Sequence, residues 1–79
     1  MIYDFDSRMT ELKNDRVFYI LLSGLSYTEI AQKYYYSQYY KFIYKVRKLF
    51  KEFNLHNRRQ LAFFAVSNGL VEPERIGEY

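Results

Sequence analysis

The chain has no cysteine, one histidine (His56), one proline (Pro73) and no apolar run near the length of a membrane span. Without cysteine, disulfides and thiolate metal sites are excluded, and the chain is compatible with a reducing cytoplasm. A single histidine closes most catalytic options. No nucleophile, base and oriented acid can be assembled, and no metal or phosphate-loop motif is present, so neither an enzyme nor a cofactor is expected. A bilayer crossing needs roughly 20 apolar residues. The amino-terminal MIYDFD opens with acids rather than with a basic segment and an apolar run, so it does not read as a secretory signal. No membrane partner is expected, and the expected location is cytoplasmic.

What the chain does have is aromatic residues and a local excess of positive charge. Ten tyrosines and seven phenylalanines make 22% of its 79 residues aromatic, enough to furnish the core of one small domain near the size at which a single core is only marginally stable. Between Lys41 and Lys51 lie five cations and no acid, a charge of +5 against +3 for the whole chain, so the other residues sum to −2. The basicity belongs to one segment. At 100° per residue, Tyr39, Phe42, Val46, Leu49 and Phe53 share one side of a helix with Phe50 at its margin, while Tyr40, Tyr44, Arg47, Lys48 and Lys51 occupy the other. One side should pack and the other should meet something anionic.

Punctuation along the chain predicts four helices. The first runs from a cap at Thr10 through Val17, Phe18, Ile20, Leu21 and Leu22 to a left-handed stop at Gly24. The second opens with Ser26 and Glu29, the spacing of a capping box, turns Ile30 and Ala31 inward and ends near Tyr34. After a connector over Tyr35–Gln38, the basic helix covers 38–53 and Asn54 stops it. The fourth starts at Asn57, with Gln60 three residues on, packs through Leu61, Ala62, Ala65 and Val66, and ends at Gly69. Pro73, Glu72, Glu74 and Glu78 mark a tail. A short helix, a tight connector and a longer basic helix follow in helix-turn-helix order.

Leu22–Ala31 (LSGLSYTEIA), Ser37, and Asn57–Leu70 (NRRQLAFFAVSNGL) resemble the LuxR/GerE type of DNA-binding domain. That family pairs Gly-Leu-Ser and Glu-Ile-Ala with a later Asn-Arg, Leu-Ala and terminal Gly-Leu. The resemblance spans Thr10 to Leu70 and looks like the free-standing, GerE-like members that lack a receiver domain. It implies an all-α, four-helix helix-turn-helix domain over residues 1–79, with its core at about 10–70. In such a domain the third helix enters the major groove and the fourth forms a dimer. The spacing departs from the family by one extra residue between Ser37 and Lys41. In the register set by Phe42, Ile43 stands where the family usually has lysine and Lys45 replaces a common histidine, so base preference should differ from that of typical members.

The expected function is a bacterial transcription regulator that binds specific double-stranded DNA as a homodimer at the nucleoid, with RNA polymerase or another regulator as further partners. A run of charge alone would mark only a solvated helix. Set between these two motifs, it points to phosphate. Tyr40, Tyr44 and Arg47 are assigned to base edges or groove walls, Lys41, Lys45, Lys48 and Lys51 to phosphates, and Ile43 to the same face. The tyrosines at 34, 35, 36 and 39 are assigned to the connector and the packing side, leaving Tyr40 and Tyr44 free. Arg58 and Arg59 stand at a helix start, where the dipole disfavours cations, so Glu29 is expected to pair with Arg58 and a phosphate with Arg59. Phe63, Phe64 and Ser67 are assigned to the dimer interface, because two successive phenylalanines cannot both face inward. His56 is a loop residue. One alternative is a protein-interaction module or antagonist that keeps the fold without binding DNA. Another is the effector half of a larger regulator.

Overall fold

A computed structural model describes residues 5–78; residues 1–4, which carry most of the acidic amino-terminal stretch, and residue 79 lie outside that description. The chain is all-helical, with α1 at Phe5–Lys13, α2 at Arg16–Leu21, α3 at Tyr27–Tyr34, α4 at Tyr39–Glu52 and α5 at Arg58–Ser67, followed by a 3-10 turn at Pro73–Arg75. No helix among the described residues is long and apolar enough to cross a membrane.

The single first helix expected from Thr10 to Gly24 is in fact two. Thr10 lies inside α1, and the chain breaks at Asn14 and Asp15. The Asn14 side chain donates to the Thr10 carbonyl (3.0 Å), and the Asp15 carboxylate accepts from the Val17 N–H (2.9 Å), capping α2. Two polar residues that can satisfy backbone groups locally thus compete successfully with a continuous helix. Gly24 is not the left-handed stop either, because α2 ends at Leu22 in a right-handed conformation (φ −86°, ψ −5°). Val17, Phe18, Ile20 and Leu21 are all buried, four of the six residues of α2.

The remaining helix ends follow their local signals. Ser26 and Glu29 form the capping box of α3 in both directions, with bonds of 3.1 Å and 2.9 Å. Those contacts, the Ser26 backbone N–H foremost, hold the Glu29 carboxyl below its ordinary range. Asn57 accepts from the Gln60 N–H (2.9 Å), while Gln60 reaches back to the His56 N–H (2.7 Å), one residue before the position a capping box would use. Asn54 (φ 56°) and Gly69 (φ 68°) are both left-handed. At each, paired bonds close the helix end: Asn54 to Lys51 with Leu55 to Phe50, and Gly69 to Val66 with Leu70 to Ala65.

The core gathers Phe18, Leu21, Ile30, Phe42 and Leu61, all fully buried. Phe42, Val46 and Leu49 supply the inward side of α4, and α3 packs directly against it. The carboxyl-terminal residues do not trail away as a tail. The Gly77 N–H donates to the Leu22 carbonyl (2.8 Å), and a parallel bridge pairs Ser23 with Gly77.

Arg58 ties these parts together, and its partner is not Glu29. Its guanidinium donates to the carbonyls of Leu21 (2.9 Å), Ser23 (2.8 Å) and Leu25 (2.7 Å) and lies 5.2 Å from the centre of the Tyr27 ring. Leu21 is the last residue of α2, so the cation that the start of α5 disfavours is met by the negative end of another helix. Replacing Arg58 with alanine removes three charge-assisted bonds to half-buried carbonyls and should cost about 2–4 kcal/mol in urea unfolding. Lysine, which lacks the planar fork, should recover less than half of that loss.

Candidate nucleic-acid interface

The α3–α4 pair presents the charged surface. Tyr35–Gln38 forms the connector, as expected, and it is sharp. Both Tyr36 (φ 53°) and Ser37 (φ 65°) are left-handed. The Ser37 N–H reaches the Ala31 carbonyl (2.9 Å), and the Gln38 N–H reaches that of Tyr35 (2.8 Å). Gln38 occupies the cap position of α4 without a capping side-chain bond, and no acid stands in the first turn.

Burial divides α4 much as the periodicity predicts. Phe42, Val46 and Leu49 are buried, and Phe50 and Phe53 are half-buried. Tyr40, Lys41, Tyr44, Lys45, Arg47, Lys48 and Lys51 are exposed. Tyr40 and Tyr44 stand near the centre of this outward side at 70% and 68% exposure, with cations on either hand. Ile43 lies apart from them, half-buried against the core, so it forms the shoulder of the surface. Lys45 also leans away: its ammonium lies 5.8 Å from the centre of the Tyr35 ring, and it lines a cleft of about 330 Å³ with Arg8, Glu11, Asp15, Lys48 and Glu52 among others.

The tyrosine cluster is only partly the packed connector that the sequence suggests. Tyr34 is half-buried between Arg16 and Lys33, whose cationic groups lie 5.0 Å and 5.2 Å from its ring centre. Tyr35 packs on Phe42 (5.3 Å), and burial pushes its phenol up in pKa. Tyr36 and Tyr39, however, are exposed at 92% and 45%. Tyr36 is left-handed in the connector, and Tyr39, the first residue of α4, is only half covered although it stands near Tyr27 of α3.

Arg59 is exposed at the start of α5. On the same helix Phe63 is 75% exposed and Ser67 is exposed, whereas Phe64 turns inward, its ring 5.3 Å from that of Phe53. The three residues assigned to a dimer surface therefore do not share one environment. Arg8 carries no sequence signal of its role. It ion-pairs with Glu52 (3.6 Å), donates to the Glu52 carbonyl and covers the Phe53 ring at 4.7 Å, joining α1 to the end of α4. Its partners lie 44 and 45 positions away, and no local pattern signals such a contact.

Compared with known proteins, the chain matches no family model, no curated protein and no solved structure.

The exposed tyrosine in the connector offers a direct test of its geometry. A left-handed backbone costs a residue with a β-carbon about 1–2 kcal/mol, and glycine avoids this cost. Because the Tyr36 side chain has little packing to lose, Tyr36→Gly should raise stability by about 1 kcal/mol while Tyr36→Ala should not. Matched thermal melts check this. A loss in the glycine variant would contradict the connector as described.

Proposed function

We propose that this protein is a LuxR/GerE-like helix-turn-helix regulator that binds double-stranded DNA, with α3 and the Tyr35–Gln38 connector setting α4 into the major groove. The observation that carries the reading is the outward side of α4, where Lys41, Arg47, Lys48 and Lys51 surround Tyr40 and Tyr44, all six exposed. A solvated helix designed only for solubility has no reason to gather cations without an intervening acid around two exposed aromatic rings. A groove reader has reason for both: cations neutralise the phosphates that flank the groove, and larger side chains reach the bases between them. Arg47 is suited to a bidentate contact with guanine. Arg59, at a helix start where its charge is disfavoured, is suited to a phosphate.

Salt dependence tests this. Neutralising about four phosphates gives a slope near −4 in log K against log salt, and Lys48→Ala with Lys51→Ala should flatten it by about 2. Titration of a mixed duplex pool at several salt concentrations measures both. Failure to retain any duplex at low salt would remove DNA binding and favour an antagonist that binds another regulator.

The dimer reading rests on Phe63, an exposed phenylalanine on a domain small enough to gain from association. A two-fold contact along α5 would place two copies of α4 on paired half-sites. Sedimentation should show Phe63→Glu as a monomer under conditions where the parent chain is a dimer. Equal masses for the two would sink the assignment.

A further inference from the structure

Resting on the duplex-DNA reading above, we propose that Tyr40 and Tyr44 read thymine by packing their rings on its 5-methyl group, so that the centre of the site prefers closely spaced A·T pairs. Among the described residues no ring, cation or hydrogen bond engages either tyrosine, although both stand at the middle of the cationic side of α4 at 70% and 68% exposure. Tyr34 and Tyr35, by contrast, are held by cations or by Phe42. Neither ring is held by such an interaction within the described residues, which leaves both faces open to a partner.

Their chemistry narrows the partner. In the major groove the edges of guanine, cytosine and adenine present hydrogen-bonding groups, and thymine alone adds an apolar one. A ring pressed on a polar edge leaves an acceptor or donor dehydrated without a partner, whereas pressed on a methyl it incurs no such cost. Lys41, Lys48 and Lys51 stay with the phosphates and do not compete for the groove floor, while Arg47 is suited to a guanine edge and leaves the methyl groups to the two rings. Spacing adds a second constraint. Four residues along a helix rise about 6 Å, close to two base-pair steps of about 3.4 Å. The methyl groups should therefore lie one or two steps apart, on either strand.

Replacing thymine by uracil deletes the methyl and leaves every hydrogen-bonding group in place. The full chain is titrated at low salt against a random-core duplex pool, and the retained duplexes are resynthesised with thymine or with deoxyuridine. Losing a buried methyl-sized group should weaken binding about fourfold, and losing two about fifteenfold. A Tyr40→Ala/Tyr44→Ala variant, checked for folding by its melt, should bind both versions equally and keep its salt slope. The Tyr40→Phe/Tyr44→Phe variant, which loses only hydroxyls, should keep the preference for thymine. Equal affinity of the parent chain for both versions, with a steep salt slope, overturns the thymine assignment and leaves DNA binding standing. An undiminished preference in the alanine variant overturns it as well, and no duplex retained at low salt overturns both.

Discussion

The arrangement of this domain depends on one guanidinium. Arg58 reaches from the first turn of α5 to three carbonyls across the α2–α3 turn, at Leu21, Ser23 and Leu25. Three acceptors in one fork fix the direction of α5 relative to α2 in a way that a point charge could not. The same group lies on Tyr27, whose ring meets Phe42 edge-on at 5.3 Å, so the constraint passes into the packed side of α4. Burial raises the Tyr27 phenol above its ordinary pKa, and the nearby Arg58 charge draws it partly back. The α2–α3 turn is further held from its other side, where Gly77 bonds to Leu22 and bridges Ser23. A loop of a few residues is thus gripped by both Arg58 at the start of α5 and Gly77 near the carboxyl terminus.

What could be read from the sequence divides by distance along the chain. The capping box at Ser26 and Glu29, the cap at Asn57, and the left-handed ends at Asn54 and Gly69 are signals confined to three or four residues, and the structure contains each. The inward side of α4 was legible for the same reason, because helical period alone sorts Phe42, Val46 and Leu49 from their neighbours. The break at Asn14 and Asp15 is also local, yet a cap residue at Thr10 followed by the apolar arc from Val17 to Leu22 suggests one helix across it. Arg58 could be recognised as needing a partner, since a cation at a helix start is a local anomaly. Its identity could not be read, because carbonyls have no side-chain signature and lie 33 to 37 positions away. The docking of Gly77 was hidden for the same reason.

The connector shows where period and position part company. A helical wheel places Tyr39 with the core, but a first residue has no preceding turn to seat it, and it remains 45% exposed. Two successive left-handed residues, Tyr36 and Ser37, make the reversal between α3 and α4. Ser37 therefore stands one position before the cap of α4, which Gln38 occupies without a capping side-chain bond. A turn that glycine would form without strain is instead made with a tyrosine and a serine, and the strain is borne by the packing of Tyr35 on Phe42 and by the Ser37 bond to Ala31. That trade leaves the entry angle of α4 set by buried contacts and its outward residues unencumbered.

The five cations of α4 are consequently not equivalent. Lys41, Arg47 and Lys51 stand clear of the α1 side, whereas Lys45 leans over Tyr35 and, with Lys48, borders the cleft that also holds Glu11 and Asp15. Lys45 and Lys48 therefore share their cleft with Glu11, Asp15 and Glu52 beside Arg8, whereas Arg47 and Lys51 border a second cleft, with Asn54 and His56, that is lined by no acid. In the proposed duplex reading, phosphates would then meet the Arg47 and Lys51 flank more strongly than the Lys45 and Lys48 flank. The charge of α4 is thus uneven from flank to flank, a property that the formal count of +5 in the sequence does not contain.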